Sequence, residues 1–272
     1  MSEIVDTEAL AHRLRLHAVR MVHRSKSSHI GSCLSVADLL AVVYGSFLRY
    51  RPGQPNWADR DRVVVSKGHA AAVVYAVLAE CGFFPLERLE GYGEDGQPLS
   101  GHVTHSNNPG VEVSSGSLGH GLSLAAGFAL AAKHKRNGAR ALAILSDGEC
   151  DEGSIWEAAL FAPHHRLSNL GCIVDYNKIQ SFGRVADVLA LEPFADKWRA
   201  FGWRVEEIDG HDHAAIRGAL GEIEADDRPM VLLAHTVKGK GVSFMEDHLL
   251  WHYRSPSDEQ LGDAIHELEG AV

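Results

Sequence analysis

From residue 62 onward the chain repeats one pattern: a short apolar run, a polar loop, then a helical stretch. The apolar runs fall at 63–65, 141–145, 170–174, 203–208 and 230–234. Runs of this length between helical segments fit strands buried on both faces. The pattern therefore predicts an α/β fold, a mainly parallel sheet with helices on both faces. Helical spacing is expected over 7–24, where Leu10, Leu14, Met21 and Val22 share one side. Ser35 followed three residues later by Asp38 reads as a capping box opening a second helix that runs through Phe47. Further helices are expected after His69 and over 118–135, 155–161, 213–224 and 257–268. Residues 91–115 are glycine-rich and polar and read as a long irregular segment, a type of loop that is often functional. With no internal repeat and no linker, residues 1–272 read as one domain.

A chain of 272 residues can bury a sizeable core. Its net charge of −10 opposes a nucleic-acid-binding surface. It does not oppose a phosphorylated ligand, which local donors can hold. Cys33, Cys81, Cys150 and Cys172 form no CxxC pair, so neither a zinc ribbon nor a dithiol motif is expected. The opening residues carry no apolar signal segment. No stretch approaches the ~18 uninterrupted apolar residues of a membrane span. The expectation is a reduced, cytoplasmic protein with no membrane contact.

Polar clusters follow the expected strands: Lys67-Gly68-His69, Asp147-Gly148, Asp175-Tyr176-Asn177 and His235-Thr236-Val237-Lys238. Open parallel sheets bind ligands outside the carboxyl ends of their strands, so these clusters should converge on one rim. Asp147 and Asn177 each stand just past an apolar run. A carboxylate and an amide oxygen are hard ligands suited to Mg²⁺. The same residues also fit a tight turn and an ordinary loop position. Gly116-Ser117-Leu118-Gly119-His120-Gly121 reads as the opening of a helix, where glycine permits close approach and the helix N-terminus attracts anions. It matches neither the dinucleotide pattern nor the P-loop.

His29, His69, His102 and His252 stand in loops or at helix starts. They could transfer protons or hydrogen-bond a sugar hydroxyl or phosphate. The pairs His102/His105, His164/His165 and His211/His213 lack a third metal ligand, and no HExxH occurs, so zinc is not expected. His164, His165, His211 and His213 are expected at helix ends or on the surface.

Taken in order, these segments resemble the transketolase family along nearly the whole chain. The family's thiamine-diphosphate fingerprint, Gly-Asp-Gly followed about thirty residues later by Asn, reads here as Ser146-Asp147-Gly148 to Asn177. Serine replaces the first glycine. The segments beginning at His29, at Asp61 and at Ser100 look like its three histidine segments. Pro109 to Gly121 looks like its cofactor loop, with His120 where glutamine is usual. Lys238 to Asp247, then Trp251-His252, resembles its last cofactor segment, with Tyr253 where glycine is usual.

The resemblance implies thiamine diphosphate and Mg²⁺ as cofactors. It gives the metal to the side chains of Asp147 and Asn177 and the backbone carbonyl of Ile179. It places Ser32, His69, Gly116, Ser117, Leu118, Gly148, Glu149, Asn177, Lys238 and His252 against the cofactor. It assigns His29, His69, His102 and His252 to the reacting centre. Glu152 joins these as the family glutamate that contacts a neighbouring pyrimidine-binding domain. That second domain, with the family's catalytic glutamate, is not recognised in this chain. A separate C-terminal, pyrimidine-binding subunit is therefore the implied partner, in an α2β2 complex. The implied reaction transfers a two-carbon ketol unit from a ketose or its phosphate to an aldose. Related enzyme halves act on 2-oxo acids, and a non-catalytic partner-binding subunit is a further alternative. The histidine set favours ketose transfer over the first, and the intact Asp147 and Asn177 argue against the second.

Overall fold

The computed structural model describes residues 5–270. Among the described residues there are seven strands: β1 (Arg62–Val65), β2 (Ala141–Ser146), β3 (Leu170–Tyr176), β4 (Ile179–Gln180), β5 (Gly183–Arg184), β6 (Arg204–Asp209) and β7 (Met230–His235). Five of them form one sheet in the order β1-β2-β3-β7-β6, every pair parallel. β4 and β5 make a small antiparallel hairpin beside it. The helices are α1 (Thr7–Ser25), α2 (Ile30–Ser35), α3 (Ala37–Val42), α4 (Ala71–Glu80), α5 (Gly121–Lys135), α6 (Gly153–His164), the single turn α7 (Val185–Val188), α8 (Phe194–Ala200), α9 (His213–Gly221) and α10 (Asp258–Glu269).

Side chains alternate across a strand, so successive residues of the central strands enter different cores. Leu142 and Ile144 of β2, Ile173 of β3, and Met230, Leu232 and Ala234 of β7 pack with α1–α4, α9 and α10. Their neighbours Ala143, Leu145, Cys172, Val174, Val231 and Leu233 pack with α5, α6 and α8. Both faces are apolar and both are covered, as the continuous apolar runs require. Among the described residues no helix is long and apolar enough to cross a membrane. All four cysteines are free thiols.

Helix ends follow local chemistry. Asp6 caps α1 by accepting from the amides of Glu8 and Ala9. Ser257 and Gln260 form a capping box on α10. The capping box expected at Ser35 and Asp38 is not formed. Ser35 ends α2, and its hydroxyl donates to Asp175 Oδ2 at 2.6 Å. Asp38 binds Arg15, His211 and His213 instead. Partners distant in sequence displace the local cap. The helix expected from residue 118 begins at Gly121, so the cofactor-like loop stays irregular through His120. Neither the β4–β5 hairpin nor α8 was expected from periodicity.

Candidate active site

The sheet aims its carboxyl ends at one cleft of about 220 Å³. β1 delivers Lys67 and His69, β2 delivers Asp147, Gly148 and Glu149, β3 delivers Asn177, and β7 delivers Lys238. His29 at the N-cap of α2 and Ser32 within that helix line the cleft too, the long loop adds His102, Gly116 and Leu118, and a late 3₁₀ turn adds His252. Ser146, the serine in place of the fingerprint's first glycine, also lines the cleft, as do Gln180 and Ser181, which were not singled out from the sequence.

The four histidines meet. The His29 ring centroid lies 5.1 Å from that of His69, 5.8 Å from His102 and 4.9 Å from His252. Burial, then the charges of His102, Lys238 and Lys67, lower the pKa of His29 to about 4. Burial and Lys67 push His69 well below its ordinary value. Burial and the Lys238 ammonium lower His252 to about 3. These three imidazoles are therefore uncharged at neutral pH and able to accept protons. Lys238 Nζ can only donate, and it lies 3.0 Å from His252 Nδ1. His252 accordingly carries its proton on Nε2. Ser28 Oγ is 2.9 Å from His29 Nδ1, and Ser32 Oγ is 3.0 Å from His69 Nε2.

Opposite the histidines three oxygen donors gather. Asp147 is 1% exposed, Asn177 5% and Ile179 4%. The Asp147 carboxylate receives the amides of Gly148 (2.7 Å) and Lys178 (2.5 Å). The Asn177 amide nitrogen donates to Asp175 at 3.4 Å, and its oxygen accepts from Ile179 N at 3.1 Å. The Ile179 carbonyl accepts from Lys238 Nζ at 2.8 Å. Burial, then the Asp175 charge, raises the pKa of Asp147. No cluster of three His, Cys, Asp or Glu side chains suited to a metal occurs among the described residues. A carboxylate, an amide and a backbone carbonyl are instead a hard-oxygen set of the kind Mg²⁺ accepts. The residues present fit that ion.

Beneath the cleft lies a fully buried ion pair, Lys67 with Asp175, both side chains 0% exposed. Asp175 also accepts from Ser35 and Thr236. One carboxylate thus ties α2, β1, β3 and the exit of β7 together. The signal in the sequence was a lysine two residues past a β-branched run, since a buried charge needs a partner.

The long loop is pinned rather than slack. Tyr75 Oη donates to the His102 carbonyl and accepts from Thr104 N, both at 3.0 Å. Gly116 has φ +137°, and a Cβ there would meet His102 Cδ2 at 2.8 Å, so glycine is needed on both counts. Glu149 lines the cleft, yet its carboxylate is taken up by Ser66 Oγ and the amides of Gly119 and Ser146. Two residues of the expected set stand outside the cleft. Ser117 lines a neighbouring depression with Ser114 and His120. Glu152 is exposed at the N-cap of α6, its side chain against Gly119. His164 and His165 do sit at the end of α6. His211 and His213 are not surface residues: each bonds Asp38, and their side chains are 14% and 9% exposed.

The sequence family described as transketolase, thiamine diphosphate binding domain, matches residues 6–261. The chain belongs to this family. A 6-deoxy-6-sulfo-D-fructose transketolase subunit from a Clostridium species is 39% identical, covering 97% of each chain. A subunit of the apulose-4-phosphate transketolase from Phocaeicola vulgatus is also 39% identical, over 99% of this chain and 95% of that one. The transketolase of Campylobacter jejuni superposes with a TM-score of 0.91 at 31% identity. The match takes in 97% of this chain but 42% of that one. The transketolase of Leishmania mexicana gives 0.92 at 29% identity, over 98% and 42%. The expected fold class, a mainly parallel sheet with helices on both faces, is the one these transketolases share.

Proposed function

We propose that this chain is the diphosphate-binding half of a two-subunit transketolase, built as one domain and completed by a separate pyrimidine-binding subunit in an α2β2 complex. The relatives named as transketolase subunits, of nearly the same length, support the division. The carrying observation is the meeting of three oxygen donors, Asp147, Asn177 and the Ile179 carbonyl, with four histidines in one cleft. When bound, thiamine diphosphate supplies the electron sink for breaking and making a carbon–carbon bond beside a carbonyl.

Asp147, Asn177 and Ile179 would hold Mg²⁺, and Gly148 would stand alongside the diphosphate that the ion would help to bind. Gly116 and Leu118 border the rest of the cofactor, and Glu149 shapes that wall by fixing Gly119. Ser117 joins it on the far side of the loop. Ser32 and Lys238 face the cofactor from the other wall. His29 or His69, uncharged, takes the proton from the donor sugar's hydroxyl at a ring nitrogen. His252 offers its Nε2–H to a sugar oxygen, and His102, on the exposed side, meets the acceptor. Glu152, exposed at the rim, contacts the partner subunit. A soluble sugar substrate, a reducing cytoplasm and carbohydrate metabolism complete the reading, with no nucleic acid and no membrane involved.

The test is calorimetric titration of thiamine diphosphate into the mixed subunits, with and without Mg²⁺. Saturable, Mg²⁺-dependent binding that Asp147→Ala abolishes is expected. Unchanged affinity in Asp147→Ala would overturn the metal assignment.

A further inference from the structure

We infer that His211 is a positioning residue for the cleft: as a neutral imidazole of one fixed tautomer, it fastens the Val237–Lys238 segment to an anchor at Asp38. The inference rests on the proposed function in one respect, that Lys238 faces the cofactor.

The loop after β6 lies directly on the exit of β7. Gly210 N donates to His235 O at 2.8 Å, and a Cβ on Gly210 would fall 2.4 Å from Thr236 Cγ2. Only glycine permits that approach, and it brings the next residue beside Val237. His211 then bonds on both ring nitrogens. Nδ1 is 2.6 Å from Asp38 Oδ2, and Nε2 is 2.8 Å from Val237 N. A backbone amide only donates, so Nε2 must carry a lone pair. The ring proton is therefore on Nδ1, where the carboxylate accepts it. The tautomer is dictated from both ends.

Asp38 is itself immobilised. It takes the Arg15 guanidinium from α1 and His213 Nε2 from α9, and His213 Nδ1 lies 2.8 Å from Thr7 Oγ1. Burial alone would raise its pKa; the bonds from His211 and His213 and the Arg15 charge outweigh that and hold it well below the usual carboxylate range. The anchor thus joins α1, α3 and α9 and ends on the amide of Val237.

The next residue is Lys238, 2% exposed, whose Nζ reaches the Ile179 carbonyl and His252 Nδ1. Thr236, the residue before Val237, is tied to Asp175. Consecutive residues of the β7 exit are thereby held by two separate buried carboxylates, one directly and one through His211. Without the imidazole acceptor, the Val237 amide has no partner and the Lys238 ammonium loses its fixed direction. His211 touches none of the residues placed around the reacting centre, so it acts through this segment alone.

The test uses the full chain mixed with its partner subunit. His211→Gln keeps an oxygen that can accept from Val237 N and an amide N–H that can donate to Asp38. His211→Phe keeps a ring and removes both. Thiamine diphosphate affinity in the presence of Mg²⁺ should fall ~10–100-fold in His211→Phe and recover largely in His211→Gln. In the histidine-¹⁵N-labelled chain, the ring signals missing from His211→Gln should show a protonated Nδ1 and an unprotonated Nε2. Equal affinity in wild type and His211→Phe, or a ring protonated at Nε2, would overturn the inference. A wild-type complex that binds no thiamine diphosphate would sink the cofactor reading instead. The tautomer, and the Val237 and Lys238 amide shifts in the two variants, would then still decide the role of His211.

Discussion

Replacing Glu149 with alanine separates a residue that shapes the cleft from one that touches the ligand. Glu149 is 0% exposed, and its carboxylate serves donors from three places: Ser66 after β1, Gly119 in the long loop and Ser146 at the end of β2. Gly119 N lies 2.8 Å and Ser146 N 3.2 Å from it. Each buried donor left without an acceptor costs about 1–3 kcal/mol. The Ser66 hydroxyl can turn to another acceptor, whereas the two amides cannot, which gives about 2–6 kcal/mol for Glu149→Ala. At roughly 2 cal/mol/K of unfolding entropy per residue, the melting temperature should fall by roughly 4–11 °C. Glu149→Gln retains one acceptor oxygen and should lose about half as much. Scanning calorimetry of the cofactor-free chain makes the comparison. A Glu149→Ala chain that melts with the wild type yet binds no thiamine diphosphate would refute the reasoning, because the carboxylate would then act on the cofactor itself.

Three further outcomes are expected. Lys67→Met strands Asp175 as an uncompensated buried charge and should destabilise the chain by about 3–5 kcal/mol, read by urea unfolding. His29 is held at about 4 against an ordinary 6.5, so between those values the unfolded chain binds a proton that the folded chain refuses. Folded stability should therefore decline as pH falls from 6.5 toward 4, and His29→Gln should flatten that slope in pH-dependent melting curves. Tyr75→Phe removes the hydroxyl that fixes the His102 loop and should raise the KM for sugar more than it lowers kcat, measured in steady-state assays of the mixed subunits.

The parallel sheet was legible because period-free apolar runs between helices have few other solutions. The rim was legible because Lys67, Asp147, Asn177 and Lys238 each follow such a run, and strand polarity then forces them together. What the sequence did not disclose were pairings between distant loops. Asp38 read as a cap because Ser35 stands three residues away, yet its partners come from α1, the loop before α9 and the first residue of α9. His211 read as a helix-end or surface residue because nothing local marks it for burial, and the approach of Gly210 to β7 brings it inside. The Gly116–His120 loop read as the start of a helix because glycine count alone carries no dihedral. Its irregular course follows from Glu149 and Ser66 seizing the amides of Gly119 and Gly121.

The central claim is that this cleft is half of a ketol-transferring site. It is tested most directly by assaying the chain, with thiamine diphosphate and Mg²⁺, by itself and mixed with a pyrimidine-binding transketolase subunit from the same genome. Xylulose 5-phosphate serves as donor with ribose 5-phosphate as acceptor, and pyruvate is offered as donor in parallel. Ketol transfer from the ketose phosphate in the mixture, and with neither protein by itself, is the predicted result. Carbon dioxide release from pyruvate without ketol transfer would contradict it and make the chain a half-enzyme for 2-oxo acids.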